Sequence, residues 1–208
     1  MADPTDDGSQ MTAPDIAVAV DFDPGVWMVG PTDGDAEGWT EGALAAVCAD
    51  FVIADGSAAQ TAVREVLLAF ATAELGSDFR FLRLRSLADV PVIALLHIWP
   101  VDPTDVDAAR RGAAVLSEFE PGTRWYDHGP QLLDLDEETG LKRALRYALG
   151  DDGRLSSVIR YHRRVARPAA DVVLTCAGAD LRTTAMALGD LDDLARAVQL
   201  IEPRGTRP

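Results

Sequence analysis

Apolar positions along the chain follow two periods, and the change from one to the other divides it. Leu44, Val47, Cys48 and Phe51 recur at i, i+3, i+4 and i+7, the stripe of a helix with one face on a core. Val63, Val66, Leu67 and Phe70 repeat that stripe after a break at Asp55-Gly56-Ser57, and Gly76 ends it. Ahead of both, Ile16–Val20 and Val26–Gly30 are short extended segments split by Asp23-Pro24-Gly25, which predicts a hairpin-like entry. Beyond residue 78 the pattern turns to strands. Phe81, Leu82 and Leu84 form a short one over Phe79–Leu84, and the continuously apolar Val90–Trp99 predicts a strand buried on both faces. Asp102 followed by Pro103 reads as N-cap and first residue of a helix through Phe119, supported by Ala109–Leu116 and weakened by Gly112.

The last third gives the sharpest pattern. Leu141–Leu149 fits either a helical face or strand alternation, but Gly150-Asp151-Asp152-Gly153 is a reversal signal. Beyond it Ile159, Tyr161 and Val165 alternate with Arg160, His162 and Arg164, so a hairpin is the better account. Asp171–Cys176 supplies a further strand. Asp190 then caps a final helix with Leu191, Leu194, Ala195, Val198 and Ile201 on the core side, Asp192 and Asp193 in its first turn and Pro203 beyond its end. This order, strands, two helices, a meander of about five strands and a helix, predicts an α+β fold: an antiparallel β-sheet with helices packed on it. A single globular domain is expected over 16–203, between a flexible acidic tail at 1–15 and a flexible C-terminus at 204–208.

The entry strand GVWMVGP and the succession KRALRYALGDDGRL, SSVIRYHRRVA, ADVVLTCAGADL and DLDDLARAVQLI resemble the PsbP-like superfamily. That is the α/β/α sandwich shared by a photosystem II extrinsic subunit, a nuclear-import Ran-release factor and many actinobacterial proteins of unknown role. The likeness covers the last seventy residues best and the rest by order of elements. It implies the sandwich architecture and transfers no catalytic residue, because the superfamily has no common active-site motif. Many actinobacterial members look like lipoproteins with a signal peptide and a lipid-attachment Cys, to which the polar start MADPTDDGSQMTAPD has no counterpart.

Charge changes the picture more than composition does. Hydrophobic residues at 48% and charged residues at 25% are globular values that exclude wholesale disorder. The first basic residue, however, is Arg64: residues 1–63 hold twelve carboxylates and no Lys or Arg, whereas 64–208 holds 22 acids against 19 bases. Most of the net charge of −15 therefore sits in the first third. Such a chain lacks the clustered cations that bind nucleic acid or anionic membranes. One Lys (Lys142) against eighteen Arg fits a high-GC genome. The acidic start and the absence of a long apolar run predict a cytoplasmic protein, in which Cys48 and Cys176 are buried free thiols.

Candidate chemistry is sparse. Asp33, Asp35, Glu37 and Gly38 imitate the first half of a calcium loop, but the twelfth position, which needs a bidentate Glu, is Leu44, so a solvated acidic loop is expected. The carboxylates of Leu132–Gly140 read as an exposed turn. His97, His128 and His162 have no metal-ligand spacing, and neither a metal nor a cofactor is expected; His97 reads as a hydrogen-bonded core residue. Trp125, Tyr126, Asp127 and His128 combine aromatics, a carboxylate and an imidazole that suit a small ligand, or pin a loop to its core. Arg160, His162 and Arg164 share a strand face, with Arg163 and Arg167 close by. That face is a receptor for carboxylate or phosphate, a charge-protected edge strand, or the internal counterpart of the acidic first third, and the structural readings are favoured. No GxSxG, P-loop or GxGxxG is present.

The expected function is therefore a non-catalytic accessory or interaction protein that docks on a basic protein partner through an acidic surface carrying Asp33, Asp35, Glu37 and Glu41. The alternative is a small-ligand binder or hydrolase using Trp125–His128 and the Arg160–Arg164 face.

Overall fold

Residues 16–31, 34–87, 90–104, 107–117, 123–126, 128–178 and 180–201 are described by a computed structural model. The expected tails at 1–15 and 204–208 lie outside these residues. The elements in order are β1 (Ala17–Val20), β2 (Trp27–Val29), α1 (Ala36–Asp50), α2 (Ala58–Thr72), β3 (Phe79–Arg83), β4 (Val92–Pro100), α3 (Ala108–Ser117), β5 (Gln131–Asp136), β6 (Leu141–Leu149), β7 (Leu155–Ala166), β8 (Ala169–Gly178), α4 (Leu181–Ala197) and β9 (Val198–Ile201).

Strands β2 to β8 pair into one antiparallel seven-stranded sheet in the order β2-β3-β4-β8-β7-β6-β5. Alternate side chains point to opposite faces, and both faces are apolar over the central strands. On one face Phe81, Leu96, Ile159, Tyr161, Leu174 and Cys176 pack against Ala187, Leu191 and Leu194 of α4. The other face is shared. Leu82 lies under Leu44 and Val47 of α1 and Val63, Leu67 and Phe70 of α2, while Ala144 and Val158 lie under Leu116 of α3. Helices thus cover both sides of an antiparallel sheet in a single α+β domain, the architecture expected from the sequence.

Several local expectations are corrected. β1 and β2 do not form a hairpin: β1 pairs β9, with Val20 opposite Val198, and β2 pairs β3, with Trp27 opposite Arg83. The Asp23 turn redirects the chain instead, its side chain accepting Gly25 N at 2.8 Å. The last helix begins not at Asp190 but at Leu181, capped by Asp180, which accepts Arg182 N at 2.8 Å and Thr183 N at 3.2 Å. It ends at Ala197, and Val198–Ile201 is strand. Its first turns sit close on the end of β8, where a Cβ at Gly178 would stand 2.0 Å from Thr184 Oγ1. Asp102 caps no helix; its side chain accepts Thr104 N at 2.8 Å in a turn, and α3 starts at Ala108. β4 is fully buried on the α4 face only (Val92, Ala94, Leu96), and Ile93, Leu95 and His97 are half-buried on the other. Cys176 is fully buried, and burial pushes its thiol up to about 12. Cys48 is half-buried, not buried, and packs with the α1–α2 cluster across the sheet, so the two thiols are free.

Candidate functional site

The arginine-bearing strand β7 lies between β6 and β8, so it is not a protected edge. Alternation does place Arg160, His162 and Arg164 on one face, and the register puts Arg164 opposite Asp171 of β8. Asp171 is 4% exposed and is shared by Arg164 and His162. Arg164 donates from Nε and Nη2 to its two oxygens at 2.8 and 2.5 Å, and His162 Nε2 lies 2.9 Å from Oδ1. Burial alone would raise the Asp171 carboxyl, but hydrogen bonds from Arg164 and His162 outweigh it and hold the group below its usual range. α3 closes over the imidazole: a Cβ on Gly112 would stand 2.6 Å from His162 Cε1, so the glycine that weakens the helix in sequence is what lets it approach. Arg160 donates from Nη1 to Val115 O of α3 at 2.7 Å. The internal counterpart of this strand is therefore Asp171 and the α3 backbone, not the acidic first third of the chain.

Arg163 points to the α4 face, where Nη2 donates to Val198 O at the end of the helix; among the described residues Nε has no partner, and burial lowers the guanidinium's pKa. The exposed Arg167 lies in the β7–β8 turn. On that same α4 face is a cluster the sequence reading missed. Asp192 accepts Arg143 Nη1 at 2.8 Å and Tyr161 Oη at 2.8 Å, and Asp190 accepts Arg83 Nε at 2.7 Å. Burial, then the Asp192 bond, pushes the Tyr161 phenol up. Placing the helix start at Asp180 would have exposed this signal, because it turns Asp190 and Asp192 from cap charges into mid-helix residues.

Trp125 pins its loop: it bridges Ala148 of β6, packs beside Leu116, and lies 4.3 Å under the Arg146 guanidinium. Tyr126 is 66% exposed and His128 is exposed, while Asp127 lies outside the described residues. His97 is a half-buried ring beside Trp99, 6.0 Å between centroids, rather than a core residue; burial lowers its pKa, with Asp78 raising it and Arg160 lowering it.

Of the acidic residues singled out, Asp33 lies outside the described residues. Asp35 is the N-cap of α1 and accepts Gly38 N at 2.9 Å. Glu37 is exposed in the first turn, and Glu41 pairs with Arg64 of α2 at 2.8 Å. Asp21, Glu37 and Asp50 are exposed and carry no ion pair among the described residues. Asp21 and Asp23 also line a cleft of about 120 Å³ with Phe22, Trp27 and Asp193, between the β1–β2 turn and α4. No group of three or more His, Cys, Asp or Glu among the described residues is placed to hold a metal. No helix among them is long and apolar enough to cross a membrane.

No family model matches the chain, and no curated protein matches it. Among solved structures it is similar to LpqN, involved in cell envelope biogenesis of Mycobacterium tuberculosis, at 10% identity and a TM-score of 0.49, over 93% of this chain and 88% of that one.

Proposed function

We propose that the chain is a non-catalytic accessory protein, a divergent PsbP-like sandwich, that docks on a basic partner through the acidic surface of its first third. The observation that carries this is where the cations go. Arg83, Arg143, Arg160 and Arg164 are held by partners inside the fold, and Arg80 closes the end of α2 by donating to Phe70 O and Ala73 O at 3.1 and 2.7 Å. Asp21, Glu37 and Asp50 meanwhile face solvent without a cation among the described residues. These three carboxylates add to a negative potential that steers and orients a cationic partner. The ligand-binding or hydrolase alternative needs Trp125–His128 and the Arg160–Arg164 face to meet in one reachable site. His162 is instead enclosed by Asp171 and α3, and Trp125 is packed.

The test is capture of partners from native lysate by the immobilised full chain at low salt, comparing wild type with the combined Asp21→Lys, Glu37→Lys and Asp50→Lys variant. A basic protein held by wild type and lost from the reversed variant supports the reading. Equal recovery by both overturns it.

A further inference from the structure

At the end of α1 the chain makes two choices that the isolated fold does not reward. The helix closes through Val52 N to Ala49 O at 3.4 Å and Ile53 N to Cys48 O at 2.9 Å. Such a closure puts the residue past the cap in the left-handed region, a place helices usually give to Gly or Asn. Here it is Val52, at φ +53°; every other positive φ among the described residues belongs to a glycine, at 34, 56, 76, 140 and 153. A β-branched side chain is strained there, and the usual compensation, burial, is absent: Val52 is 90% exposed. Two residues earlier Asp50 sets a carboxylate at the negative end of the helix dipole, with no basic residue in the last turn. Phe51 and Ile53, on either side of Val52, pack against the α1–α2 core, so the tip stands on fixed backbone.

Local rules broken without return inside the fold point to contacts outside it. We infer that the α1–α2 turn is where the basic partner makes its central contact: Val52 enters a small apolar socket, and lysines or arginines around that socket meet Asp50 and Asp55. An apolar centre within a charged rim is the arrangement of an interface hot spot. This rests on the docking reading above. A second copy of the chain is the poorer occupant, because each copy carries −15 and brings the same carboxylates to the rim.

The experiment uses the full chain with p-benzoylphenylalanine at position 54, an exposed neighbour of the tip, irradiated in native lysate at low salt. The probe is the adduct formed, and unlabelled chains compete against it. Wild type is expected to suppress the adduct, and Val52→Gly and Val52→Asn, both compatible with the left-handed backbone, to need about tenfold more protein, the loss for removing one buried aliphatic contact. Competition by either within twofold of wild type overturns the inference, as does an adduct with a second copy or no adduct. If a Glu37→Lys competitor is weakened while Val52→Gly is not, acidic docking survives and the Val52 contact falls. If none of the variants differs from wild type, both fall.

Discussion

Replacing Asp171 by Asn removes the negative charge that Arg164 and His162 share on the α3 face of the sheet. The native carboxylate takes two hydrogen bonds from Arg164 and lies 2.9 Å from His162 Nε2, almost wholly out of solvent. Deleting one member of a fully buried charge cluster costs about 3–5 kcal/mol, because its partner is left charged and dry. Arg164 keeps 28% of its side chain in solvent and is partly rehydrated, so the expected loss is about 2–3 kcal/mol at neutral pH. The pH dependence follows from the direction of the shift. The Asp171 carboxyl is held low in the folded state, so its contribution is present above the unfolded value of about 3.9 and disappears as pH falls through the lower folded value. Asp171→Asn is therefore less stable than wild type at neutral pH and declines less on acidification below about pH 4. Urea denaturation followed by circular dichroism across that range measures both effects. A loss below about 0.5 kcal/mol at neutral pH, or an acid profile matching wild type, would refute the claim that this cluster neutralises the arginine strand. Replacing Asp171, His162 and Arg164 together by apolar residues should recover most of the loss, since no charge is then stranded.

Gly112→Ala should lower Tm: its Cβ meets His162 Cε1 at 2.6 Å, and overpacking of about 1–3 kcal/mol outweighs the gain of about 1 kcal/mol that Ala brings to a helix. A higher Tm would mean that α3 can shift away from the sheet. Val52→Gly should stabilise the isolated chain by about 0.5–1 kcal/mol, the relief of left-handed strain less the looser unfolded state of glycine. A lower urea midpoint would count against the strain. Cys176, buried with its thiol pushed up to about 12, should resist iodoacetamide at mildly alkaline pH in the folded chain and react once it is unfolded. Mass-spectrometric detection of native labelling at Cys176 would contradict its placement beneath α4.

What the sequence carries is what local periodicity records. The i, i+3, i+4, i+7 stripes locate α1 and α2, and the alternation of Ile159 and Tyr161 with Arg160 and His162 locates β7 and its faces. Counting back from the turn at Arg167-Pro168 would also have set Arg164 against Asp171, so this part of the site was accessible to pattern reasoning. The first half of α4 was not, because Thr183, Thr184 and Ala187 are buried yet small or polar, and large apolar residues join the core only from Leu188 on. β1 pairs with a strand some 180 residues away, which no local pattern encodes. The same holds for Asp190 with Arg83 and Asp192 with Arg143, whose side chains meet only once α4 lies on the sheet. Charge asymmetry was legible from composition. Which of those charges stay exposed depends on where the arginines find partners, and that is a property of the fold.

The central claim is that Asp21, Glu37 and Asp50, exposed and without an ion pair among the described residues, face outward toward a cationic partner. Its most direct measurement is the association rate constant of the full chain with the captured basic protein, by stopped-flow from low salt to about 0.5 M NaCl, where the screening length falls to a few ångströms. The account predicts a fall of about tenfold or more, carried by association rather than dissociation, and largely lost in the combined Asp21→Lys, Glu37→Lys and Asp50→Lys variant. A rate constant that is flat in salt, or equally salt-dependent in that variant, would contradict it.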